Sequence, residues 1–120
     1  MSSFIGGHRV LLSLVFTALT GSALASDCGN PPQEPEIVDG ATATMEELVA
    51  NSESVKTYIS EADAYLDCRE GVVKSDTFKN MSKEEQKAFL EANSVLLKSR
   101  NNIGEKFNAE VADYKKANPS

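Results

Sequence analysis

Apolar residues recur at helical spacing over two long stretches of the chain. In the first stretch they are separated by alternating steps of three and four residues, which places them on one face of a helix. This face predicts a first helix over residues 45–69, approximately. Its apolar positions are Leu48, Val55, Ile59, Ala62 and Leu66, with Ser52 in the gap and Val49, Tyr58 and Tyr65 at the edges.

The ends of the first helix have local markers. Thr44 and Glu47 have the Thr-x-x-Glu spacing of a capping box, in which each residue binds the backbone N–H of the other. At the other end, Gly71 is typical of the position after a helix, and the β-branched Val72 and Val73 follow it. We therefore expect the helix to end near Arg69.

The second stretch begins with another capping box, formed by Ser82 and Glu85, and predicts a helix over residues 83–117, approximately. Gly104 and the asparagines before it favour helix poorly, but the apolar spacing continues across them, so we expect one continuous helix. Pro119 ends the pattern. The apolar positions are Phe89, Ala92, Leu96, Ile103, Phe107, Val111 and Tyr114.

Two long amphipathic helices joined by a short connection predict an all-α fold, an antiparallel two-helix hairpin over residues 44–118. Aligning the two apolar faces pairs Ile59 with Leu96 and Leu66 with Phe89. The connection over residues 71–82 has no clear pattern, and Phe78 is its one large apolar residue.

Residues 26–43 predict an extended, proline-rich N-terminal arm. Pro31, Pro32 and Pro35 hold the backbone extended and remove hydrogen-bond donors. An extended arm of this length can fold back along the first helix, with the turn at Asp39-Gly40. We expect the arm to form a third layer over the hairpin and to supply burial that two helices alone lack.

Residues 1–25 have the three regions of a secretory signal peptide: a basic start with Arg9, an apolar run, and the cleavage pattern Ala23-Leu24-Ala25. A membrane anchor is the alternative, but the apolar run is shorter than the roughly 20 residues that span a bilayer. Lipid attachment at Cys28 is disfavoured by Asp27 before it. We expect a protein that is exported, periplasmic or secreted, and has no stable membrane anchor after cleavage.

Cys28 and Cys68 are the two cysteines of the chain. An even pair in a small exported domain predicts a disulfide, which would tie the arm to the far end of the first helix. The loop that it closes has about 40 residues, so the bond contributes on the order of 4 kcal/mol. Two separate thiols or a two-cysteine metal site are the alternatives.

Charge and histidine content exclude several function classes. The chain has 18 acidic against 12 basic residues and a net charge of −6, which disfavours nucleic acid and anionic lipid surfaces as partners. Its single histidine, His8, lies in the leader, so the mature chain lacks the base of Ser/His and Cys/His nucleophiles. We expect no enzyme, no catalytic residues, no cofactor and no metal site.

Several short motifs together resemble a family of small exported two-cysteine helical proteins of Gram-negative bacteria. The resemblance covers nearly the whole mature chain and implies the helical, disulfide-bonded fold, but no activity is assigned to that family. The motifs are Cys28, Pro31-Pro32, Val38-Asp39-Gly40-Ala41-Thr42, Tyr65-Leu66-Asp67-Cys68 and Phe107-Asn108.

Two candidate surfaces remain. Tyr58 and Tyr65 share a helical face and predict either an aromatic interaction surface or packing at the edge of the core. Val111 and Tyr114 lie where the longer second helix extends past the first, and they are the second candidate. The acidic residues between Glu61 and Glu70 are interpreted as a solvated face.

We expect a small exported protein that acts by surface interaction or has a structural role. Its partner would be another protein or a second copy of the chain. The alternative is a small-ligand or metal-ion binding protein of the periplasm, with the acidic face or the two tyrosines as its site.

Overall fold

The computed structural model describes residues 28–120, so the leader predicted over residues 1–25 lies outside the described part. Pro31–Ser120 form a compact unit. The all-α class expected from the sequence is confirmed, and residues 28–120 contain no strand. The helices are α1, Met45–Val73; α2, Asp76–Lys79; and α3, Lys83–Ala117.

Both long helices begin at the capping boxes that the sequence predicts. The Thr44 hydroxyl accepts from the Glu47 N–H at 3.1 Å, and the Glu47 carboxylate accepts from the Thr44 N–H at 2.9 Å. Ser82 and Glu85 repeat this reciprocal pair at the start of α3, with the same two distances. Each box satisfies backbone donors that the first turn would otherwise leave unpaired.

The end expected for α1 near Arg69 is wrong, because α1 continues through Gly71 to Val73. A glycine ends a helix when it takes a positive φ, and Gly71 does not. Val72 and Val73 are half-buried, so packing retains the last turn. The Ser75 hydroxyl then donates to the Val72 carbonyl at 2.6 Å and helps to close the helix.

The connection after α1 contains the short helix α2. Its Phe78 ring meets the Phe89 ring of α3 edge to face, with centroids 5.7 Å apart. The Gln86 side chain also donates to the Phe78 carbonyl at 2.9 Å. These two contacts hold the connection against the first turns of α3.

The core lies between α1, α3 and the arm. Val55, Tyr58 and Ile103 form its buried centre. On α1 the buried face is displaced from the predicted one, because Asn51 and Tyr58 are buried whereas Ser52 and Ile59 are only half-buried. The partly buried residues around this centre are Ile37, Ile59, Leu96 and Phe107.

The displacement on α1 has a physical cause in the arm. Ile37, an arm residue, packs on the core beside the α1 residues, so α1 is covered from two directions and its buried face turns toward the arm. Val49, which the sequence places at the edge of the stripe, is 53% exposed.

The predicted disulfide between Cys28 and Cys68 is present. It joins the N-terminal segment of the chain to α1. After it, residues 29–39 have neither helix nor strand, and a turn follows over residues 40–42. The arm therefore reaches α1 without regular structure, as its prolines require.

Candidate functional site

Asn51 binds the backbone of the arm. Its side chain is buried on α1, where the Oδ1 atom accepts from the Val38 N–H at 2.9 Å and the Nδ2 atom donates to the Glu36 carbonyl at 2.7 Å. Both ends of the buried amide are thus satisfied by one extended segment. This pair of hydrogen bonds fixes the position of the arm along α1.

Gly40 brings the arm into backbone contact with α3. Its N–H donates to the Glu110 carboxylate at 2.8 Å, and a Cβ at this position would lie 1.8 Å from the Glu110 carbonyl oxygen. Asp39 shapes the turn, because its carboxylate accepts from the Ala41 N–H at 3.0 Å. The close approach therefore requires glycine at residue 40.

Ser99 connects both helices and the arm through one hydroxyl. Its Oγ donates to the Glu34 carboxylate and lies 2.6 Å from the Tyr58 hydroxyl. Because a serine has one hydroxyl proton, Tyr58 is the donor in the second bond. Tyr58 is only 2% exposed, so its position agrees with core packing, one of the two alternatives that the sequence leaves open for it.

Arg69 fastens the end of α1 to α3. Its guanidinium lies 3.7 Å from the centroid of the Phe89 ring and 5.5 Å from that of Tyr65. It also donates to the Asn93 side chain and, at 3.2 Å, to the Phe89 carbonyl. Stacking and a planar fork of donors are properties that a lysine would not supply.

An open groove of about 890 Å³, lined by both apolar and polar residues, lies between α1 and α3. Leu66 and Val73 line it from α1, and Leu90 and Leu97 line it from α3. None of its lining residues belongs to the arm, which packs elsewhere on the two helices. Leu90 is 47% exposed and Leu97 is 48% exposed, so two large apolar side chains remain half in water.

The α1 wall of the groove is acidic, with Asp63, Asp67 and Glu70 and one lysine, Lys74. Arg100 binds Asp63 through two bonds, from Nε at 2.6 Å and from Nη2 at 3.0 Å. This hydrogen-bonded pair lowers the pKa of Asp63 and raises the pKa of Arg100. It is the only ion pair within residues 28–120.

The α3 wall differs from the α1 wall because it has no charge. Its polar residues are Asn93 and Ser94, which lie between the two leucines. Asp67 and Glu70 have no ion-pair partner among the described residues. The groove therefore has apolar residues on both walls, is acidic on the α1 side and is uncharged on the α3 side.

The other residues predicted as a surface take different positions. Tyr65 is half-buried, and its hydroxyl accepts from Arg69 at 3.3 Å. It lines a small pocket beside Pro31 and Pro32 that Tyr58 also lines, so the two tyrosines do lie near each other. Val111 and Tyr114 are half-buried on the last turns of α3, and neither lines the groove.

Among residues 28–120, no three His, Cys, Asp or Glu side chains are placed to hold a metal ion together. No helix in the same range combines the length and apolar character that a membrane crossing needs.

The fold and the groove together define the chain as a disulfide-bonded helical protein with an open surface groove between its two long helices. Comparison of the chain with protein-family models, curated proteins and solved structures finds no match.

Most of this site is not predicted by the sequence patterns. Leu90 and Leu97 lie outside the apolar stripe of α3, and such surplus apolar residues are the sequence marker that indicates a second face. Asn51 and Arg69 had no marker, because a polar residue in a helix reveals its partner only when the tertiary contacts are known.

Proposed function

We propose that this protein acts outside the cytoplasm by binding another protein in the groove between α1 and α3. The observation that carries the proposal is the half-exposed pair Leu90 and Leu97, continuous with Leu66 and Val73 in a channel that the arm leaves open. Contiguous exposed apolar surface rimmed by polar residues is typical of an interaction site. Its burial on binding would remove that surface from water.

In this proposal, α1 and α3 form an antiparallel hairpin. The contacts that support it pair Tyr58 with Ser99 and Arg69 with Asn93, so the later residue of α1 meets the earlier residue of α3. A hairpin has two grooves, one on each face. The arm occupies one face through Asn51 and Ser99, which leaves the other face for a partner.

The export of the protein rests on two supports. Disulfides persist in oxidising compartments, and the chain has the Cys28–Cys68 bond. The signal peptide predicted over residues 1–25 would direct the chain into the export pathway. Intact-mass measurement on the exported fraction tests this directly: the proposal expects a chain that begins at Ser26, and a chain that retains the leader contradicts it.

Binding suits the groove better than catalysis does. Its apolar residues are leucines and a valine, and the Asp63 carboxylate on the α1 wall is already bound by Arg100. A catalytic pair needs a concave, partly dry site that shifts its pKa values. The open channel offers apolar area for a partner to bury.

The test uses two matched variants of α3. Leu97→Asn places an amide in the groove, and Val95→Asn makes a similar change at a 66% exposed residue that does not line it. Tagged protein is used to capture partners from the exported fraction of its own cells. We expect the wild type and Val95→Asn to capture a protein that Leu97→Asn does not capture. The proposal is contradicted if both variants capture the protein equally, or if neither the wild type nor Val95→Asn captures any protein.

A further inference from the structure

We propose that the groove binds an amphipathic helix of its partner, with apolar residues on one face of that helix and lysine or arginine along the flank that meets α1. This inference rests on the proposed function and adds the chemistry of the partner.

The spacing of the apolar residues favours a helix as the occupant. Leu66 and Val73 are about two helical turns apart on α1, and Leu90 and Leu97 have the same separation on α3. A helix with apolar residues at steps of three and four presents side chains at this interval to both walls together. The spacing of the apolar residues along each wall therefore matches that of an amphipathic helix.

The walls give an extended peptide little to bind. An extended segment adds to a protein through backbone hydrogen bonds along a strand edge. The groove is lined by side chains of α1 and α3, and helices use their backbone donors and acceptors internally. A helical occupant has satisfied its own backbone and needs only apolar contact and charge at its flanks.

The charges favour basic residues on one flank. Asp67 and Glu70 on the α1 wall have no ion-pair partner within the described part of the chain, while Arg100 already compensates Asp63. Lys74 offsets one charge at the end of that wall. The α3 wall is neutral, so the complementary helix has its basic residues on the side that faces α1 and needs none on the other.

A second copy of the chain fits this pattern less well. It would bring its own acidic α1 wall and a net charge of −6, and like charges oppose association at low ionic strength. The groove-lining residues of its α3 are uncharged, so they offer no cation to Asp67 and Glu70. A basic partner helix satisfies both conditions.

The experiment uses three fluorescent peptides of about 18 residues, a length of about five helical turns. One has leucines on a single face and lysines on one flank, the second has glutamates in place of the lysines, and the third has the composition of the first in scrambled order. Binding to the oxidised full-length mature protein is measured by fluorescence anisotropy at low and at high salt.

We expect the lysine peptide to bind about tenfold more tightly than the glutamate peptide at low salt, and the scrambled peptide to bind weakly. The difference should shrink at high salt, where exposed charges are screened. Leu97→Asn leaves the charge of the protein unchanged and should lower its affinity for the lysine peptide about tenfold. Val95→Asn should leave that affinity unchanged.

Charge variants test the α1 wall separately. The double variant Asp67→Asn with Glu70→Gln should remove most of the preference for lysine over glutamate. Asp76→Asn, an exposed carboxylate on α2 that does not line the groove, is the control and should keep the preference.

The outcomes distinguish this inference from the proposed function. If both charged peptides bind equally, or if the scrambled peptide binds as well as the lysine peptide, the inference is overturned. If no peptide binds while capture that depends on Leu97 persists, the partner is not a basic helix but the groove still functions. Sedimentation that shows a dimer lost in Leu97→Asn would assign the groove to a second copy and overturn the inference.

Discussion

Gly40 of the arm and Glu110 of α3 lie in backbone contact, with no space between them for a side chain. The φ of Gly40 is not positive, so the requirement for glycine comes from this close approach alone. The contact joins residues that are 70 positions apart in the sequence and defines where the end of the arm meets α3.

Gly40→Ala should therefore displace the arm and lower the free energy of unfolding by about 1–3 kcal/mol. Urea unfolding measures the loss, and limited proteolysis should cut the arm sooner. Gly71→Ala is the control, because a Cβ at that helical position meets nothing within 4 Å. The control should stabilise the protein by about 0.5–1 kcal/mol; a loss of stability there would contradict the account of α1.

Asn51→Leu should release the middle of the arm. The substitution keeps the size of the side chain but leaves the Val38 N–H and the Glu36 carbonyl without their partner, which costs about 1–3 kcal/mol. Hydrogen exchange at the Val38 amide should become faster. Asn102→Leu, at an exposed position of α3, is the control, and comparable losses in both variants would show that the arm does not depend on Asn51.

Cys68→Ser should lower stability by roughly 2–5 kcal/mol because it opens the covalent loop. Both long helices should remain, since their capping boxes are local, and circular dichroism should show nearly unchanged helix content. Proteolysis within the arm is the sensitive measurement. Labelling of native wild-type protein with a thiol reagent should find no reactive cysteine, and labelling at Cys28 and Cys68 would contradict the bond.

The pair between Asp63 and Arg100 should make stability depend on pH in one direction. The hydrogen bonds from Arg100 lower the pKa of Asp63 below its ordinary value of 3.8. The pair therefore stabilises the fold at pH above 3.8, and this stability is lost as the pH falls through the lowered pKa of the folded state.

Asp63→Asn should reduce the change in urea midpoint between neutral and acidic pH. Asp67→Asn lies on the same wall without an ion pair and serves as the control. If the two variants have the same pH profile as each other, the Asp63–Arg100 pair does not contribute to the acid sensitivity of the fold.

Local features of the fold could be read from the sequence, because their causes are local. The Thr44 and Ser82 boxes give the starts of α1 and α3, and the paired cysteines give the disulfide. The end of α1 could not be read in this way. A glycine such as Gly71 is common at the end of a helix. Whether α1 ends there depends on the tertiary packing of Val72 and Val73, and local sequence does not reveal that packing.

The candidate site was less predictable because it depends on which face the arm covers. The apolar spacing of α1 predicts a buried face centred on Ile59. In the structure, Tyr58 and Asn51 are buried on the side of α1 that contacts the arm. The arm does not line the groove, so Leu90 and Leu97 remain half-exposed there. The spacing of apolar residues within one helix does not show which face of the helices the arm covers.

The long separation between the arm and its contacts on α3 has a consequence for folding kinetics. The Glu34–Ser99 and Gly40–Glu110 contacts join residues that are 65 and 70 positions apart in the sequence. The helices, by contrast, form from contacts between residues that are a few positions apart. We therefore expect the arm to dock after the helices have formed. Substitutions in the arm should accelerate unfolding while leaving the refolding rate nearly constant, so they shorten the lifetime of the native protein rather than delay its formation.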